Sequence, residues 1–159
     1  RLLRTVRSRR FQVTCNRDFA GVIQGCGTAS DRVGATWLTP RMIRAYLRLH
    51  QLGHAHSVEA WCEGRLAGGT YGVGIGGLFA AESMFYRVPD ASKVALVALV
   101  THLRARGYRL LDIQQLTPHT ARFGATEIPR KKYLSRLAAA IQEPVSFGDH
   151  LQGDAPAKW

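Results

Sequence analysis

The chain has 159 residues, 46% of them hydrophobic and 21% charged, enough for one domain with a real core and no low-complexity tract. No apolar run reaches the roughly 18 residues that a membrane helix needs, and no signal peptide is legible behind the Arg-rich start. A net charge of +11 points to a polyanionic partner. Three cysteines without a C-x-x-C fit a reduced, cytoplasmic protein better than a disulfide scaffold.

Arg1, Arg4, Arg7, Arg9 and Arg10 crowd the first ten positions, and the chain, starting at Arg1 without methionine, reads as a fragment. Arg1, Arg4 and Arg7 line one face if the stretch is helical. Guanidinium groups pair bidentately with phosphate, so the segment is a candidate phosphate contact; the plainer reading is a solvated basic tail. Residues 11–14 form a short strand candidate. Asp18 caps a helix through Gln24, which Gly25 and Gly27 should end, and 25–34 reads as a loop.

Thr39 as N-cap and Pro40 as first residue open the best helix of the front half. Met42, Ile43, Tyr46, Leu47 and Leu49 follow at helical spacing, and Gly53 stops it. His50, His54 and His56 resemble a zinc set only superficially, since Gly53 interrupts them and no Cys or Glu stands at ligand spacing. Strands are expected over 57–61, 66–75 and 78–85, separated by turns at 62–65 and at Gly76-Gly77. Gly72, Gly74 and Gly77 match a dinucleotide fingerprint formally, but a strand follows where a helix is required. Close approach of a ligand or backbone to the sheet explains these glycines better.

Ser92 to Arg106 reads as a buried helix closed by Gly107, and residues 108–114 as a strand returning to the same sheet, which implies a mixed sheet. Residues 117–127 read as a loop carrying His119, Arg122 and Gly124. Pro129 opens a last helix with Arg130, Lys131 and Lys132 in its first turn, where cations oppose the helix dipole unless phosphate sits nearby. Residues 1–142 are thus expected to form the domain, with 143–159 a loose tail.

Three polar side chains stand in apolar surroundings: Glu82, Asp112 and Gln114. Strand alternation puts Asp112 and Gln114 on one face, and burying a carboxylate costs free energy unless it is paired. This stretch is the candidate site.

The strings W-L-T-P-R-M-I-R-A-Y-L-R-L-H-Q-L-G-H-A-H-S-V-E-A-W, G-G-T-Y-G-V, E-S-M-F, A-S-K-V-A-L, D-I-Q and H-T-A-R-F-G-A-T-E-I-P-R run in order along the chain. Together they resemble the bacterial leucyl/phenylalanyl-tRNA–protein transferase family, nearly continuously from about Arg1 to Leu137. The resemblance implies an α+β, GNAT-like acyltransferase fold, a mixed and mostly antiparallel sheet flanked by helices. It also implies a smaller N-terminal domain, which is expected to be missing from this stretch. The implied activity moves Leu or Phe, sometimes Met, from aminoacyl-tRNA to proteins with an N-terminal Arg or Lys, marking them for N-degron-dependent degradation. No covalent intermediate, metal or cofactor is implied; a monomer without membrane attachment is expected.

By the same resemblance Asp112 and Gln114 are the catalytic pair, and Glu82 meets the basic side chain of the acceptor. A Gln114 side-chain amide bonded to Asp112 would make its carbonyl a better proton acceptor. Trp37 and Tyr46 match positions near the terminal adenosine of the tRNA, where Trp37 could stack for roughly 1–3 kcal/mol. Met84, Leu96, Leu99 and Leu111 would line the Leu/Phe pocket, and Thr70 stands where the family often has Met. Arg4, Arg7, Arg9, Arg10, Arg130, Lys131 and Lys132 are the candidate tRNA contacts. Two other readings compete: an acyl-CoA N-acyltransferase, for which no pyrophosphate loop is found, and a non-catalytic tRNA-binding fragment, which explains the charge but not Glu82, Asp112 and Gln114.

Overall fold

Turns at residues 63–64 and 76–77 divide residues 55–86 into three long antiparallel strands, and helices pack on their two faces. The computed structural model describes residues 2–8, 10–28 and 37–153. In chain order these form α1 (Leu2–Arg7), β1 (Gln12–Cys15), α2 (Phe19–Thr28), α3 (Pro40–Gln51), β2 (Ala55–Cys62), β3 (Arg65–Ile75), β4 (Leu78–Tyr86), α4 (Ala91–Arg106), β5 (Leu110–Asp112), α5 (Pro118–Ala121) and α6 (Arg130–Ala140). The sheet order is β1-β2-β3-β4-β5, antiparallel except for the parallel β4–β5 pair. The crossover through α4 makes the sheet mixed, as expected from the strand–helix–strand pattern.

Two cores result. On one face α4 buries Val94, Leu96, Leu99 and Leu103 against Val58, Ala60, Ala67 and Phe79. On the other, Phe19, Val22, Ile23 and Cys26 of α2 meet Ala55, Tyr71 and Phe85, with Met42, Ile43 and Tyr46 of α3 closing over them. Residues 68 and 69 of β3 must be small for these helices to approach. A Cβ on Gly68 would stand 2.8 Å from that of Ala91, and one on Gly69 would stand 2.9 Å from Val22. Backbone and helix packing, not a cofactor, accounts for the glycine-rich strand.

Several local expectations hold for stated reasons. The Oγ1 of Thr39 accepts the amide N–H of Met42 at 3.3 Å, and Pro40 opens α3. Asp18 caps α2 by accepting the Gly21 N–H at 2.8 Å. Glu63 and Gly64 both take positive φ in the β2–β3 turn, and Gly107 closes α4 at φ 87°.

Others need correction. Helix α2 runs through Gly25 and Gly27 to Thr28, because Gly25 gives the Phe85 ring room: a Cβ there would lie 2.5 Å from the ring. Strand β5 stops at Asp112, so Gln114 is not a strand residue; its φ of 59° turns the chain away. Within 117–127 a short helix forms, because Thr117 and Thr120 complete a capping box at Pro118. The loose tail expected from residue 143 is also not what is found as far as 153. Phe147 is buried against His56, His102 and Phe79, and Arg106 donates to the Ser146 carbonyl at 2.8 Å. A buried aromatic ring offsets the entropy of ordering this segment. Residues 154–159, Arg1, Arg9 and 29–36 lie outside the described residues, and of Arg7 and His119 only the backbone is described.

Candidate active site

Glu82 owes its place to an irregularity in the sheet. Ser83 pairs with Tyr71 and Ala81 with Gly72, so Glu82 is an extra residue, unopposed, in β4. Bulges of this kind re-aim a side chain and recur beside active sites. Parallel pairing sets Asp112 of β5 opposite Ala80, two residues before Glu82 on β4. The bulge and the end of β5 thereby bring two carboxylates onto neighbouring strands.

Each carboxylate is held by a tyrosine. Glu82 accepts a hydrogen bond from Tyr46, and burial, with the charge of Glu82 next, pushes the Tyr46 phenol up to about 12. Burial also raises Glu82 above the ordinary carboxylate value; the Tyr46 hydrogen bond pulls it back, and the negative charge of Asp112 raises it. Asp112 accepts from the Tyr133 hydroxyl at 2.6 Å through Oδ2 and from the main-chain N–H of Gln114 at 2.8 Å through Oδ1. Its Gln114 donor is therefore the backbone, not the side-chain amide, and the exposed Gln114 side chain projects from a left-handed residue. That conformation is uncommon outside glycine, and such outliers gather at functional sites.

A cavity of about 1060 Å³ opens beside Asp112, lined by Asp112, Gln114, Tyr133, Leu96, Leu111 and Arg130 among others. Leu96 and Leu111 thus reach the space next to the carboxylate. Met84 packs against the α4-side core, and Leu99 and Thr70, each 1% exposed, are core residues that do not line the cavity. Thr70 spends its hydroxyl on the Ser83 carbonyl at 3.0 Å. Trp37 is 43% exposed and meets Tyr46 edge-on with ring centroids 6.4 Å apart; Tyr46 in turn meets Tyr71 at 5.2 Å. An open aromatic ring therefore stands next to the Tyr46–Glu82 contact.

Of the candidate phosphate contacts, Arg4, Arg10, Arg130, Lys131 and Lys132 are all exposed, and the first turn of α6 holds no acid. The Arg10 guanidinium also lies 5.3 Å from the Phe11 ring centre. Among the described residues no group of three or more His, Cys, Asp or Glu is placed to hold a metal ion. His50 is bonded to the Ala55 carbonyl at 2.8 Å and stacked on Phe19, and His56 contacts Asn16 at 3.2 Å.

Sequence reasoning missed Tyr133, and it missed Glu59. The latter is a fully buried carboxylate that accepts from Thr14 and Ser57 and ties β1 to β2. Alternation in β2 could have flagged Glu59. Tyr133 stands 21 residues from Asp112 on another element, so only its place one turn into a cation-rich helix hinted at it.

The sequence profile described as leucyl/phenylalanyl-tRNA protein transferase matches residues 1–138. The chain belongs to the leucyl/phenylalanyl-tRNA–protein transferase family. A transferase of this name from Rhodopseudomonas palustris strain HaA2 is 53% identical over 98% of the chain and 69% of its own length. One from Salinibacter ruber is 56% identical over 88% of the chain and 60% of its length. The chain thus spans 60–69% of the length of these two relatives. The fold of this family member is the GNAT acetyltransferase fold. A crystal structure of an aminoglycoside acetyltransferase from an uncultured soil metagenomic sample, in complex with sisomicin, superposes with a TM-score of 0.57 at 11% identity. That match covers 77% of this chain and 93% of the other. No described helix is long and apolar enough to cross a membrane.

Proposed function

We propose that the chain transfers Leu or Phe from aminoacyl-tRNA to the N-terminal Arg or Lys of acceptor proteins, marking them for N-degron-dependent degradation. The observation that carries this reading is the pair of tyrosine-held carboxylates, Glu82 and Asp112, at one edge of a strongly basic chain. Polyanion binding alone would not need them; a cationic acceptor would. Family membership supports the same chemistry. The working compartment in this reading is the cytoplasm and the working unit a monomer.

In the reaction the acceptor's α-amine attacks the ester carbonyl of the aminoacyl-tRNA. A C–N bond forms, the C–O bond to the terminal ribose breaks, and the nitrogen gives up a proton while the ribose oxygen takes one. Glu82 as an anion pairs with the guanidinium or ammonium of the acceptor's side chain, a charge-assisted bond that discriminates against neutral and acidic N-termini. Asp112 retains unused lone pairs on both oxygens and can receive the amine's hydrogen as the attack proceeds. Gln114 presents its exposed amide beside it. An activated ester and a free amine mainly need to be brought together, so positioning supplies most of the rate. The cavity beside Leu96 and Leu111 takes the apolar side chain of the moving residue, and methylene-scale differences there are worth only about 1–3 kcal/mol, which suits mixed Leu and Phe use. Trp37 offers a stacking face for the terminal base.

The test is transfer of radiolabelled Phe or Leu from charged tRNA to a peptide beginning with Arg, with an Asp-initial peptide as control. Transfer to the first peptide alone, lost in Asp112→Ala, is the expected result. Salt-sensitive tRNA binding with no transfer would instead support a non-catalytic fragment, and absence of both would overturn the reading.

A further inference from the structure

We infer that Tyr133 is a positioning residue for the transfer reaction: its hydroxyl, on α6, fixes the Asp112 carboxylate at the open end of the sheet. This rests on the function proposed above.

Asp112 is the last residue of a three-residue strand that pairs with β4 on one side, and the chain leaves the sheet directly after it. The carboxylate of a terminal strand residue is free to rotate about its last torsion unless both oxygens are engaged. Here Oδ1 is engaged locally by the Gln114 N–H at 2.8 Å, and Oδ2 by Tyr133 at 2.6 Å, the long-range contact that crosses from another element. Two donors on two oxygens set the plane of the carboxylate. Each oxygen keeps a further lone pair for the cavity that Asp112, Gln114 and Tyr133 line together. Hydrogen bonds to a charged group are about twice as strong as neutral ones, so the contact holds.

Tyr133 is itself seated by the helix it belongs to. Its N–H bonds to the Pro129 carbonyl at 3.0 Å, and the three residues before it are Arg130, Lys131 and Lys132. The other charged groups facing this space are Arg104 from α4, Arg109 before β5, and Glu127, Arg130 and Arg136 around α6. Tyr133 is the side chain through which α6 holds the carboxylate. The hydrogen bond to Asp112 and burial also push the Tyr133 phenol up, which keeps it a donor through neutral pH.

The experiment is a double-mutant cycle on the whole chain with Tyr133→Phe, Asp112→Asn and the pair, measuring kcat and KM for an Arg-initial peptide; far-UV circular dichroism and thermal melts report the folded fraction. The expected result is about a tenfold fall in kcat for Tyr133→Phe, the scale of one hydrogen bond to a charged group, with KM within about twofold. In the Asp112→Asn background Tyr133→Phe should then add almost nothing, because the two residues act as one unit. A purely structural role lowers the melting temperature and leaves kcat per folded molecule unchanged. Unchanged kcat, or full additivity with Asp112→Asn, overturns the inference while the parent's transfer activity stands. No transfer by the parent chain overturns the function reading, and this inference with it.

Discussion

Glu82 feels Asp112 across the β4–β5 seam: burial first, and then the negative charge of Asp112, holds the Glu82 carboxyl up, while the Tyr46 hydrogen bond works against them. The signs lead to a pH test. Glu82 must be ionised to pair with a cationic acceptor, and its titration lies above the ordinary carboxylate value. KM for an Arg-initial peptide should therefore rise as pH falls through a midpoint above that value. Tyr46→Phe removes a donor to the anion and should move the midpoint higher; Asp112→Asn removes a repelling charge and should move it lower. Steady-state kinetics across pH check both directions.

Glu82→Gln keeps the shape and removes the charge. It should raise KM for Arg and Lys peptides by roughly 10- to 100-fold, the loss expected of a charge-assisted hydrogen bond, and narrow the preference over neutral N-termini. Competition between Arg- and Ala-initial peptides measures the change. An unaltered preference would show that Glu82 is structural.

Gly25→Ala pits two effects against each other. Alanine in a helix interior gains about 1 kcal/mol over glycine. The new methyl would lie 2.5 Å from the buried Phe85 ring, however, and overpacking of that kind costs about 1–3 kcal/mol. Net destabilisation is expected in urea unfolding, reversed when Phe85→Leu is added.

Acid should loosen the packing around Phe147. Burial, then repulsion from His50, pushes the His56 imidazole down to about 4, and burial lowers His102 as well. Folded-state values below the unfolded ones mean that these histidines contribute fully above about pH 6.5 and less as pH falls, the His56 contribution fading toward pH 4. For the partly buried His56 ring the loss should be about 1–2 kcal/mol after solvent screening is allowed for. Melting temperatures from pH 7 to pH 4 check this, and His56→Gln should flatten the curve. Phe147→Ala should cost about 3–5 kcal/mol at any pH, since it empties a buried aromatic site.

Reversing the charges of Arg130, Lys131 and Lys132 should weaken tRNA binding and make it less salt-dependent. Removing one cation from a phosphate lowers the slope of log affinity against log salt by about 0.7–0.9. Filter binding at several salt concentrations measures it; an unchanged slope would move the tRNA interface elsewhere.

What the sequence determined by itself is the part governed by short-range physics. Thr39-Pro40 opens α3, Gly107 closes α4, and the turns at 62–65 and at Gly76-Gly77 delimit the three long strands, because caps, turns and φ preferences are properties of neighbouring residues. Glu82, Asp112 and Gln114 were legible as polar groups in an apolar stretch. The tertiary structure decided what surrounds them. Whether Gly25 ends a helix or clears a ring depends on Phe85, 60 positions away. Whether the segment after Glu143 is loose depends on the slot that His56 and His102 leave for Phe147. The extra residue at Glu82 comes from pairing with β3, and the second donor on Asp112 comes from Tyr133 on α6. Contacts between residues far apart in sequence carry no local signal, and the orientation of both carboxylates is built from such contacts.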